Sequence, residues 1–137
     1  MPTTLPASAS AWELYTFRDE ERPEGRVAIR SVVKALNDSV RAAAADPALR
    51  AAIKDAKKVW RTRWSRQEFE KSPEWRAVRR AQFAARNNHI QPVLDKYADY
   101  GTADSEPRFI AGNTLNKMVL DAVGITDEID RRWFRFD

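Results

Sequence analysis

Residues 26–44 read RVAIRSVVKALNDSVRAAA, and the spacing of their apolar side chains decides the fold class. Ile29, Val32, Val33, Leu36 and Val40 recur at intervals of three and four, the period of an α-helix with one buried stripe. A half-buried strand would alternate every second residue, and this stretch does not. Asp46-Pro47 then supplies an N-cap acceptor followed by proline at the first helical position, where the missing N–H is not needed. A second helix is expected from there to about Trp64, with Leu49, Ile53, Ala56, Trp60 and Trp64 on its apolar side. Two amphipathic helices joined by so short a turn read as an antiparallel hairpin.

Downstream, Ser65-Arg66-Gln67-Glu68 carries the reciprocal S-x-x-E capping pattern, and Ser72-Pro73-Glu74 offers a second cap. A third long helix is expected from Pro73, with Trp75, Val78 and Phe83 on a stripe continuing to Ile90, Val93, Leu94 and Tyr97. Asn87-Asn88 weaken helix propensity and Pro92 disfavours helix at Gln91, so a break or kink is expected between Asn87 and Pro92. Residues 98–107 spell a loop. Asn113 reads as the N-cap of a short helix stopped by Gly124, and Thr126 as the cap of a last turn carrying Ile129 and Trp133. Upstream, Pro23 and Gly25 separate an N-terminal arm, residues 1–25, from the rest. The expected fold is all-α, with four or five helices: a long helical hairpin, a kinked third helix and short C-terminal helices. Residues 26–137 form the single domain, and the arm is extended.

A chain of 137 residues suits one domain. Its composition, 43% hydrophobic and 32% charged, is too apolar for wholesale disorder, and no apolar run approaches the ~18 residues of a membrane span. With no cysteine and one histidine, disulfides, thiolate metal sites and self-contained multi-histidine centres are excluded. No phosphate loop, dinucleotide fingerprint or serine elbow occurs, so no cofactor is expected. The lead Met1-Pro2-Thr3-Thr4-Leu5-Pro6 has neither the early bases nor the apolar core of a targeting peptide; an intracellular rather than secreted protein is expected, in cytoplasm or organelle matrix alike.

The formal net charge of +4 hides a segregation. Residues 26–97 hold seventeen bases and seven acids, whereas residues 1–25 and 98–137 each carry a net −3. A basic middle suits an anionic partner, either nucleic acid or acidic lipid head groups, and is equally open to neutralisation by the chain's own ends. On the second helix Arg50, Lys54, Lys57 and Arg61 gather along one flank of the apolar stripe, and Arg26, Arg30, Lys34 and Arg41 do the same on the first. The segment from Trp60 to Arg66, which includes Arg63 and Trp64, interleaves indoles with guanidinium groups. Such interleaving suits stacking on bases, anchoring of a protein interface, or core packing with solvated arginines.

In an unbroken third helix Arg79, Gln82, Arg86 and His89 fall on one line near Trp75. Two arginines can clamp a phosphate or carboxylate while a histidine moves a proton near neutral pH. The simpler account has His89 packing or capping the kink. Around this line the chain resembles HNH endonucleases: Phe69, Ser72, Trp75 and Arg79 match F-x-x-S-x-x-W-x-x-x-R, and His89-Ile90-Gln91-Pro92 matches H-I-x-P, over about 25 residues. The resemblance implies a metal-dependent nuclease leaning on His89; the cysteine pairs and second histidine of that family have no counterpart here.

The expected function is therefore a non-enzymatic structural or accessory subunit, docking onto other protein subunits of a multi-protein, ribonucleoprotein or virion assembly through aromatic and basic helix surfaces. The alternatives are a nucleic-acid-binding helical protein and a minimal HNH-like nuclease.

Overall fold

The computed structural model describes residues 26–62, 65–96 and 105–134, with the side chains of residues 26–33 and 105–110 outside the description. The described residues form helices and turns with no strand: α1 (Arg26–Ala44), α2 (Pro47–Thr62), α3 (Arg66–Glu70), α4 (Pro73–Ala85), a π turn (Arg86–Ile90), α5 (Gln91–Lys96), α6 (Ser105–Val123) and α7 (Glu128–Trp133). Counting Pro73–Lys96 as one helix gives six, against the four or five expected. The arm expected over residues 1–25, and Ile29, Val32, Val33 and Tyr97 of the expected apolar stripes, lie outside the described residues or side chains.

Local hydrogen bonds set the helix starts. Asp46 Oδ1 accepts from the N–H of Ala48 (3.0 Å) and of Leu49 (3.2 Å) to open α2. Ser65 Oγ accepts from Glu68 N–H to open α3, and Ser72 Oγ accepts from Trp75 N–H to open α4. α6 ends in a Schellman motif, with Ile125 N–H donating to Leu120 C=O (2.9 Å) and Gly124 at φ +101°, a conformation that favours glycine. Two expected caps are replaced. Asn113 lies inside α6, which begins eight residues earlier at Ser105 and tolerates Pro107 in its first turn; burial of Ala111, Leu115, Val119, Leu120 and Val123 outweighs the low propensity of Gly112 and Asn113. Asp127, not Thr126, caps α7, its Oδ1 accepting from Ile129 and Asp130 N–H.

α1 and α2 follow one another across the Asp46 turn but make little contact. α2 packs chiefly on α4, α1 on the π turn and α6, and α6 also lies against α2. The buried face of α4 differs from the expected stripe: Gln82 is fully buried and Phe83 is 52% exposed. At 100° per residue Gln82 falls within the sector occupied by Trp75, Val78 and Ala85, and Phe83 falls about 80° outside it.

Past Ala85 the same geometry would bring residue 89, the histidine, into the core. The irregularity expected between Asn87 and Pro92 takes the form of a π turn: the helix widens by one residue, and Gln91 N–H bonds to Arg86 C=O. That insertion rotates Ile90 and then Leu94 into the buried position and leaves His89 partly exposed.

Four rings close the other end of the molecule. Phe69 meets Trp60 (centroids 4.9 Å), Trp75 (5.3 Å) and Phe134 (5.5 Å), and Phe134 also meets Trp60 (5.6 Å) and Trp75 (5.2 Å), mostly edge to face. Trp60, expected in the core, packs on its edge and remains partly exposed, with its indole N–H donating to Gly124 C=O (3.2 Å). Replacing Phe69, which like Phe134 touches the other three rings, with alanine is expected to cost about 3–5 kcal/mol in denaturant unfolding, and Trp60→Ala distinctly less. Equal losses would show that the cluster is not centred on Phe69.

Candidate interaction surfaces

The line Arg79, Gln82, Arg86 and His89 does not converge on a ligand. Gln82 points into the core, where its Nε2 donates to Asn116 Oδ1 (3.1 Å), and Asn116 Nδ2 donates in turn to Phe134 C=O (3.3 Å). This relay joins α4 to α6 and to the end of α7. Arg79 is half-buried over the Trp75 ring (5.8 Å), and Arg86 lies over Phe83 (5.0 Å). His89 Nε2 lies 3.0 Å from Asp46 Oδ2, a contact between residues 43 apart in sequence. One carboxylate thus caps α2 with Oδ1 and holds the π turn with Oδ2. The imidazole ties the π turn to the start of α2.

In the HNH-like stretch, Phe69 and Trp75 are core rings, Ser72 is a cap, and His89 is bonded to Asp46. Among the described residues no group of three acidic or histidine side chains is placed to hold a metal ion.

The basic flank of α2 is a surface. Arg50, Lys54, Lys57, Lys58 and Arg61 are all exposed, and among the described residues none is paired with a carboxylate. Several bases on other helices have acidic partners. Lys34 (2.7 Å) and Arg41 (3.2 Å) both hold Asp38, whose pKa the Lys34 hydrogen bond pulls down; Arg66 pairs with Asp130, and Arg131 with Asp121. Arg63 and Trp64, expected to extend the basic and aromatic surface, lie outside the described residues, as do the side chains of Arg26 and Arg30.

A second surface was not anticipated as such. Trp133 is 45% exposed and Ile129 61% exposed, one turn apart on α7. Trp133 stands between two shallow grooves. The first, about 520 Å³, is lined by Ser65, Arg66, Gln67, Asp127, Ile129 and Asp130; the second, about 370 Å³, by Glu70, Trp75, Arg76, Arg79, Arg80 and Phe134. Apolar spacing placed Ile129 and Trp133 together on α7, but it was Phe134 that the core took. Neighbours on a helix point about 100° apart, so seating Phe134 among the rings turns Trp133 outward.

Compared with family models, curated proteins and solved structures, the chain matches none.

The Asp46–His89 tie carries a pH signature. The His89 hydrogen bond and then the Leu49 N–H hold the Asp46 carboxyl below its ordinary range, and the Ala48 N–H adds to them against the upward push of burial. A carboxyl with a depressed folded pKa adds stability above its unfolded value, about 3.9, and loses it as pH falls through the folded value. Asp46→Ala is expected to cost about 0.5–2 kcal/mol at neutral pH, and the difference from the parent chain should shrink below about pH 4. A difference that stayed constant down to pH 2 in urea unfolding would mean that the charge on Asp46 does no stabilising work.

Proposed function

We propose that this chain is a non-enzymatic helical subunit that docks onto another protein of a larger assembly through the Trp133 corner. The carrying observation is a large aromatic side chain held exposed beside a packed one: Trp133 projects next to Phe134, which is locked among three other rings, and Ile129 extends the same apolar edge. Tryptophan and arginine are the favoured anchors of protein interfaces, and here Arg76 and Arg80 border the groove on one side of Trp133. The grooves give a partner's side chains somewhere to seat, and the Arg66–Asp130 pair beside the first already satisfies its own charges. The hydrogen bonds of His89 and Gln82 serve the fold, which supports reading the arginine–histidine line as structural.

Trp133→Ala and Ile129→Ala should each change unfolding free energy by no more than about 0.5 kcal/mol, as exposed substitutions do, while removing the same set of proteins from material co-purified with the chain and identified by mass spectrometry. The substitution Lys117→Gln, at another exposed site, should leave that set intact. Retention of every partner by both α7 variants would sink this reading. So would a purified chain that cleaves nucleic acid with added divalent metal and loses that activity in His89→Gln at unchanged melting temperature.

A further inference from the structure

The basic row of α2 lies outside the Trp133 docking reading and has a chemistry of its own. Arg50, Lys54, Lys57 and Arg61 stand at successive offsets of four, three and four, within a helical sector of about 60°. Lys58 flanks them, and Asp55, the one acid of the helix, stands about 100° or more from Arg50, Lys54, Lys57 and Arg61. The row is about 16 Å long, with cations roughly 5–6 Å apart along the axis. Donors strung out in this way do not converge on one small anion. They match a ligand whose negative charges repeat at intervals, as the phosphates of a nucleic acid do.

The neighbouring side chains narrow the choice. Beyond the cations the exposed face of α2 holds the small residues Ala48, Ala51 and Thr62 together with Asp55, and no bulky side chain there keeps a ligand away from the row. The exposed large apolar residues described, Phe83, Met118, Ile129 and Trp133, lie on other helices, so α2 presents nothing to insert among lipid tails. The cations are also available. The described acids that do form ion pairs are engaged by other bases, and the row meets no carboxylate among the described residues.

We infer that the exposed row Arg50, Lys54, Lys57 and Arg61 on α2 is a binding surface for the phosphate backbone of duplex nucleic acid, read without regard to sequence. Four phosphate contacts predict that log K falls with log salt at a slope near −3.6 for a DNA duplex.

The test uses the full chain without partners, so its result is independent of the Trp133 docking. Fluorescence anisotropy would follow labelled DNA and RNA duplexes of one mixed sequence across a salt series, with phosphatidylserine vesicles in a parallel flotation assay. Lys54→Gln with Lys57→Gln, and separately Arg50→Gln with Arg61→Gln, should each weaken duplex binding about tenfold or more at low salt and reduce the slope by about 1.8. A charge-matched control, Lys71→Gln with Lys117→Gln, should move neither by more than about twofold. Circular dichroism and melting curves establish that each variant is folded, and either row pair alone suffices. The inference fails if neither duplex binds at low salt, if control and row variants weaken binding equally, or if vesicles capture the chain at a salt concentration where the duplexes do not.

Discussion

The edge-to-face cluster of Trp60, Phe69, Trp75 and Phe134 is the constraint on which the rest of the molecule depends. Its rings come from the end of α2, from α3, from the start of α4 and from the residue that closes α7, so it joins four segments at one point. Phe134 is at its centre with Phe69, and its carbonyl also receives Asn116 Nδ2, so the end of α7 is fixed both by ring packing and by a buried hydrogen bond. Aromatic pairs of this geometry contribute about 0.5–1.5 kcal/mol each beyond the area they bury. A corner held this firmly can present an exposed indole without losing its shape.

At the opposite end the structure depends on polar groups. Asp46 caps α2 and holds His89, and the π turn makes that possible by trading one residue of helical register for an apolar side chain in the core. In a regular helix the imidazole would face inward, where an unsatisfied polar group is unfavourable, and Ile90 would face out. The widened turn resolves both conflicts. It also separates His89 from the direction of Arg79 and Arg86, and Gln82 is committed to Asn116, so the four side chains of the helical line do not share one face.

The two exposed surfaces differ in physics. A desolvated tryptophan anchor gains from burial and is little affected by ionic strength, whereas a row of solvent-exposed cations acts through screened electrostatics and counterion release. On the two readings proposed above, one folded body would join a protein partner through the first surface and a polyanion through the second. The structure also contains no helix, among the described residues, long and apolar enough to cross a membrane.

The sequence by itself determined the all-α class, the starts of α2, α3 and α4 at Asp46, Ser65 and Ser72, and the stop of α6 at Gly124. Each of those rests on a hydrogen bond between residues no more than about five apart, or on a 3.6-residue period, and both are written in the local order of residue types. The exposed basic flank of α2 was legible for the same reason. Tertiary structure alone decided that Gln82 rather than Phe83 enters the core, that Ile90 displaces His89, and that Phe134 is buried while Trp133 is left to solvent. Those outcomes fix how far each helix rotates about its own axis. Rotation is set by partners distant in the chain, Asn116 for Gln82, Asp46 for His89, Phe69 and Trp75 for Phe134, and a chain can satisfy those pairings only after its helices have met.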